Sequence, residues 1–257
     1  WLVIVPMLRV LCVVPFRADR SDIAEVVDRV AGLPPVPRFA GIDVHAPITI
    51  LPNVLEPAMC ERLVALYDAT GGEESGFMRE VDGRTVRVLD GSHKRRKDVD
   101  LSDPVLIDQL RARFLRRVVP EVRKAYQFDV TRMERYIVAC YADADGGHFQ
   151  PHRDNTTKGT AHRRFAVTVN LNEDFDGGEI GFPEYGPRTY KPPRGAALVF
   201  SCSLLHRVTP VTRGRRYAFL PFLYDEAAAK LREENNRFLA PDVAAYRSVG
   251  AEDVTTG

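Results

Sequence analysis

Phe165-Ala166-Val167-Thr168-Val169-Asn170-Leu171-Asn172 carries the clearest statement of fold class in this chain. Val167, Val169 and Leu171 fall on one face of the stretch, Thr168 and Asn170 on the other. A period of two through β-branched and apolar residues predicts a strand. Its polar face either borders a buried polar site or meets solvent. Further along, Gly195–Phe200 and Arg215–Tyr224 are strand-like too, and the period is two from Arg135 onward. Many short strands separated by turns predict a closed or double-sheet β architecture.

The upstream half reads differently. Ile48–Leu51 is a predicted strand, and Glu56–Ala69 a helix with Pro57 in its first turn and Gly71-Gly72 ending it. Asp103–Tyr126 is amphipathic through Leu106, Leu110, Phe114 and Val118, with Pro120 as a break. Asp225–Phe238 reads as a C-terminal helix, and Gly71–Asp100 as a long, polar, Gly-punctuated flap over an active site. The expected class is α+β, mainly β, with a double-stranded β-helix (jelly roll) core and flanking helices.

The chemistry concentrates in Gly147-His148-Phe149-Gln150-Pro151-His152-Arg153-Asp154 and in the distant His206. A His-x-Asp pair followed at long range by a second His is the pattern of the two-His-one-carboxylate triad for Fe(II). Such a triad occupies one face of the metal and leaves room for a bidentate co-substrate and dioxygen. His148 stands four residues before His152, but Gly146, Gly147 and Pro151 argue against a helix, so it reads as a loop residue. If His206 starts one strand and Arg216 the next, a turn at Thr212–Gly214 brings both to one end of a sheet. A guanidinium there suits a remote carboxylate, since its fork binds both oxygens. A one-residue shift of register would give Arg215 that place instead.

At this point residues 47–225 resemble the Fe(II)/2-oxoglutarate-dependent dioxygenases, and among them the prolyl-4-hydroxylase-like group. Besides the triad, the run from Tyr141 to His152 resembles that group's approach to the metal. Asn170-Leu171-Asn172 followed by Gly177-Gly178-Glu179-Ile180-Gly181-Phe182-Pro183 is similar to its Leu-Asn…Gly-Gly-Glu-x-x-Phe-Pro segment, and Pro193–Phe200 to its strand before the distal His. The resemblance implies His152, Asp154 and His206 as iron ligands and Arg216 on the distal carboxylate of 2-oxoglutarate, with Tyr141 and Thr168 beside it. It also implies dioxygen as reactant, a peptide or small amino-acid-like molecule as substrate, and admits ascorbate. The carboxylate of Asp154 favours hydroxylation, because related halogenases lack it. The chain departs from the group in a longer Tyr141–His152 spacing, Arg216 where many carry Lys, and Ala166 where many carry Thr, so a peptidyl-proline substrate does not follow. Two other classes remain open: an iron dioxygenase that does not use 2-oxoglutarate, and a non-catalytic binding module attached to a redox domain.

Lys+Arg 36 against Asp+Glu 35 give a formal charge of +1, so no global field favours nucleic acid or an anionic membrane. The basic run His93-Lys94-Arg95-Arg96-Lys97 reads as solvated loop surface, with Arg95 or Arg96 placed to meet an anionic substrate group. Cys12, Cys60, Cys140 and Cys202 lack metal-site spacing and sit among apolar neighbours, as expected of free thiols in a reducing, cytoplasmic setting. No uninterrupted apolar run reaches the roughly 18 residues of a membrane-spanning helix. Residues 1–16 read as two short buried strands rather than a signal peptide, since Arg9 and two prolines interrupt them. Residues 1–46 form an N-terminal extension, joined through Pro34-Pro35-Val36-Pro37, that resembles the tail of a thioredoxin-like domain. Starting at Trp1, the sequence reads as a fragment, with an upstream redox domain as candidate partner. Residues 47–247 form the dioxygenase domain and 248–257 a flexible tail.

Overall fold

The computed structural model describes residues 1–4, 10–33 and 45–246. Strands β1 (Leu2–Ile4) and β2 (Val10–Val13) form an antiparallel pair, followed by helix α1 (Ser21–Ala31). The two strands exist, but they are not buried: Leu2, Ile4, Val10 and Val13 are each 45% exposed or more. Among the described residues the pair belongs to no larger sheet, and an isolated two-stranded ribbon buries little of its apolar surface. The Pro34–Pro37 linker and the 248–257 tail lie outside the described residues.

Strand β3 (Ile48–Leu51) and helix α2 (Pro57–Thr70) form where expected, Pro57 opening the helix where a missing N–H costs nothing. The 71–100 segment is not an open flap. It contains β4 (Glu73–Glu74), β5 (Phe77–Val81), β6 (Arg84–Val88), β7 (Lys94–Arg95) and β8 (Lys97–Asp100). β5 and β6 close a hairpin across Asp82-Gly83, both at positive φ, the conformation an Asp-Gly turn favours. Thr85 pins this hairpin: its Oγ1 accepts the Gly159 N–H at 2.9 Å and its carbonyl the Ala240 N–H at 3.0 Å. Helices α3 (Pro104–Arg117) and α4 (Val119–Tyr126) then split at Val118, because Pro120 cannot continue the ladder of α3.

The remaining strands are β9 (Arg132–Glu134), β10 (Ile137–Ala142), β11 (His148–His152), β12 (Phe165–Asn170), β13 (Phe175–Gly177) and β14 (Ile180–Gly181). They continue with β15 (Thr189–Tyr190), β16 (Ala197–Ser201), β17 (His206–Val208), β18 (Val211–Phe219) and β19 (Phe222–Tyr224), before helix α5 (Glu226–Glu234). A ten-stranded sheet runs β3-β16-β12-β18-β10-β8-β4, with β13, β19 and β9 joined beside it. A five-stranded sheet runs β15-β14-β17-β11-β7, and every pairing in it is antiparallel. The predicted turn at Thr212–Gly214 is displaced to Thr209-Pro210, and Gly214 lies within β18 at φ 76°.

Alternation on the large sheet separates two cores. Val138, Cys140, Val167, Val169 and Phe219 face the helices with Leu106, Leu110 and Phe114. Tyr141, Ala166, Leu198, Phe200 and Phe222 face the small sheet, meeting Phe149, Ile180 and Val208. All six residues of β12 are buried, so the polar face of this strand looks into the space between sheets and not at solvent. Among the described residues no helix is long and apolar enough to cross a membrane.

Candidate active site

The β11–β17 ladder sets His152 directly opposite His206, which puts both imidazoles on one face. Asp154 follows just past the end of β11, where its N–H donates to the Cys202 carbonyl at 3.0 Å. Its Oδ1 lies 3.5 Å from His152 Nε2 and its Oδ2 3.4 Å from His206 Nε2. The three ligand-type atoms lie within 4.8 Å of one another and could hold one metal ion.

Tautomers support that use. His152 Nδ1 donates to the Gln150 carbonyl at 2.8 Å and His206 Nδ1 to the Leu204 carbonyl at 3.1 Å. A carbonyl only accepts, so each neutral ring keeps its Nε2 lone pair free on the Asp154 side. Burial, reinforced by the adjacent His152, lowers the His206 pKa to about 4. Burial opposes the charge of Asp154, but His206, His152 and Arg163 outweigh it and hold the carboxyl far below its usual range. Two neutral imidazoles and one carboxylate form a donor set suited to Fe(II). Glu184 braces the cluster from outside. It accepts from Arg153, the residue between His152 and Asp154, at 2.7 Å, and from the Leu205 N–H, just before His206, at 3.0 Å.

Beside the triad lies a cavity of about 60 Å³ that Tyr141, Thr168 and Arg216 line together with His152, Asp154 and His206. Tyr141 and Arg216 are opposed in the β10–β18 ladder. Arg216 is 1% exposed, and burial lowers its pKa to about 10. Its Nε donates to Asn170 Oδ1 at 3.1 Å and its Nη2 to Thr168 Oγ1 at 2.8 Å, while Nη1 has no partner. A buried cationic donor left unpaired is costly, and an anion in the cavity would satisfy it. Gly178 permits this arrangement, because a Cβ there would lie 2.9 Å from Val211 Cγ2 and 3.1 Å from Arg216 Cδ. Arg215 is excluded by register: its side chain is 62% exposed and reaches Tyr217 and Asp68 on the outer side.

His148 stays outside the cluster, its ring nitrogens directed at the Gly146 and Ser92 carbonyls. The basic run 93–97 is not a solvated surface. Lys94 and Arg96 are 3% and 7% exposed, whereas Arg95 and Lys97 point outward. Alternation is the signal that could have found this, since a charged run pairing into a sheet must turn every second residue inward. Past the triad opens a groove of about 1460 Å³ between the β5–β6 hairpin, the 156–163 segment and Leu239.

Residues 136–224 match the model of the 2OG-Fe(II) oxygenase superfamily. The match covers 89 of the 257 residues, about a third of the chain. The matched stretch contains the whole His-Asp-His cluster together with Tyr141, Thr168 and Arg216. The chain is 36% identical over 89 residues to a PKHD-type hydroxylase of Synechococcus sp., covering 32% of this chain and 39% of that protein. It is 35% identical over 109 residues to the PKHD-type hydroxylase PiuC of Pseudomonas aeruginosa, covering 39% and 46%. It thus spans less than half the length of these relatives. A prolyl hydroxylase from Trichoplax adhaerens, solved with a peptide fragment of a hypoxia inducible factor, shares the fold at a TM-score of 0.52. That match is 19% identical and covers 82% of this chain and 94% of the other.

Proposed function

We propose that the protein is an Fe(II)- and 2-oxoglutarate-dependent dioxygenase hydroxylating an unactivated C–H bond of a peptidyl residue or a small amino-acid-like substrate. The observation that carries this reading is the unpartnered Nη1 of buried Arg216, in one cavity with the triad. His152, Asp154 and His206 are the metal ligands, and Arg216, Tyr141 and Thr168 hold 2-oxoglutarate. When bound, iron couples decarboxylation of 2-oxoglutarate by dioxygen to substrate hydroxylation, giving succinate, carbon dioxide and the alcohol.

The chain's own residues then bind and orient. Arg216 anchors the far carboxylate with a fork whose direction Thr168 and Asn170 fix. Asp154 stays ionised and His206 stays neutral, so at these two ligands no proton competes for the metal. Phe149, Ile180, Phe200, Val208 and Phe222 line the cavity and exclude water. The groove beyond the triad is roomy enough for a peptide segment. The Trichoplax enzyme, whose fold this chain shares, was solved with a peptide.

The same reading carries a jelly-roll core in which the two sheets are the two layers, a dioxygenase domain at 47–247, and an N-terminal extension at 1–46 beside an upstream redox domain. The free thiols of Cys12, Cys60, Cys140 and Cys202 support a reducing, cytoplasmic setting. The test is succinate release from 2-oxoglutarate under air with added Fe(II), in wild type and Asp154→Ala. Succinate from the wild type alone supports the reading. No succinate, together with no 2-oxoglutarate binding to the anaerobic iron-loaded protein, rejects it.

A further inference from the structure

Tyr141 is 1% exposed, and its hydroxyl is 3.3 Å from Arg96 Nη1. A guanidinium has donors only, so Arg96 donates and the phenol oxygen accepts. The hydroxyl proton of Tyr141 is therefore free, and among the described residues no acceptor takes it. Tyr141 lines the small cavity with Arg216, whose Cζ lies 5.4 Å from the Tyr141 ring centroid.

Arg96 is itself held firmly. Its Nε and Nη2 each reach a different oxygen of Asp98 at 2.7 Å, a two-pronged pairing that fixes the plane of the fork. Ser75 Oγ accepts from Arg96 Nη2 at 3.2 Å and from Lys94 Nζ at 2.7 Å, and donates to Asp98 Oδ2 at 2.5 Å. An Asp98–Arg96–Tyr141 chain thus leads from the wall of the substrate groove to the cavity, ending in one hydroxyl proton with nowhere to go but the cavity.

We propose that Arg96 is a positioning residue for 2-oxoglutarate: by occupying the acceptor side of Tyr141, it turns the Tyr141 proton toward the co-substrate carboxylate that Arg216 also binds. This inference rests on the function proposed above. It assigns Arg96 no contact with the co-substrate; its effect passes through Tyr141.

Calorimetric titration of 2-oxoglutarate into the Mn(II)-loaded protein tests it in wild type, Arg96→Lys, Tyr141→Phe and the double variant. Arg96→Lys keeps a cation beside Asp98 but removes the fork. The expected result is a rise in Kd of about tenfold for each single variant, with the double variant no weaker than Tyr141→Phe alone. In succinate formation the change falls on the KM for 2-oxoglutarate and leaves kcat within about twofold. A Kd within about twofold of wild type for Arg96→Lys, or additive effects in the double variant, overturns the inference while leaving the function standing. No binding by the wild type overturns both. If Arg96→Lys melts early, Arg96→Gln paired with Asp98→Asn removes both charges together and is judged by the same criterion.

Discussion

Arg216 Nη2 donates to Thr168 Oγ1 at 2.8 Å across the β12–β18 pair, while Nη1 of this cavity-lining residue, beside the metal cluster, is left without a partner. One strand supplies the charge and its neighbour sets the direction. Truncating the charge removes hydrogen bonds to an anion that contribute roughly 1.5–3 kcal/mol each. Arg216→Ala is expected to raise the KM for 2-oxoglutarate about 100-fold or more. Arg215→Ala, one residue away on the solvent side, should stay within about twofold. Succinate kinetics on both variants check the pair, and equal effects would contradict the register.

Thr168→Val keeps the shape of the side chain and deletes the acceptor. Arg216 Nη2 would then be a second unsatisfied buried donor, at a cost of about 1–3 kcal/mol in the ligand-free protein. Urea midpoints of wild type and variant measure it. An unchanged midpoint would mean that Arg216 finds another acceptor.

Glu184 touches no metal-ligand atom, yet it ties Arg153 to the N–H preceding His206. Loss of an outer brace of this kind typically weakens a metal site about 10- to 100-fold. Glu184→Ala should therefore raise the Mn(II) Kd by that order, read by equilibrium dialysis, with far-ultraviolet circular dichroism as the check on folding. Wild-type affinity in the variant would show that the strands alone hold the ligands.

The depressed pKa of His206 gives the metal-free protein an acid-sensitive window. With an ordinary value of 6.5 and a folded value of about 4, the unfolded chain binds the proton first. Stability should fall as pH drops from about 6.5 to about 4, by roughly 3 kcal/mol at the end of that range, and this contribution is then exhausted. Asp98, lowered from 3.8 to about 2 chiefly by Arg96 against the opposing effect of burial, adds a further loss below about pH 4. Denaturant titrations at successive pH values test this, and His206→Gln should flatten the upper window.

Much of the site is legible in the order of residues. His152, Asp154 and His206 converge, Arg216 turns inward, and Thr168 and Asn170 share the face that receives it. The ligand set and the polar face of β12 follow from local spacing: His-x-Asp at a strand end, and strict alternation on β12. For Arg216 spacing says only that it or Arg215 is inside, and the pairing of Tyr141 with Arg216, together with the Thr168 and Asn170 acceptors on β12, settles which.

Other features stay hidden in a linear reading because they depend on partners far along the chain. The run 93–97 has the composition of a surface, and only its pairing through β7 with β11 and β8 with β10 sends Lys94 and Arg96 inward. The 71–100 segment has the composition of a flap, yet residues far along the chain, Gly159 and Ala240 through Thr85 and Lys158 through Glu80, pin its hairpin. Glu184 carries no motif at all. Ligand types, strand periodicity and the basic residue ten positions beyond the distal histidine are written in the linear order, since these are properties of neighbours along one chain. Which buried charges meet, and which donor is left over, emerges only when the strands pair. Pairing in a sheet joins residues that no local pattern connects, and the low dielectric between the sheets makes each unmatched group costly.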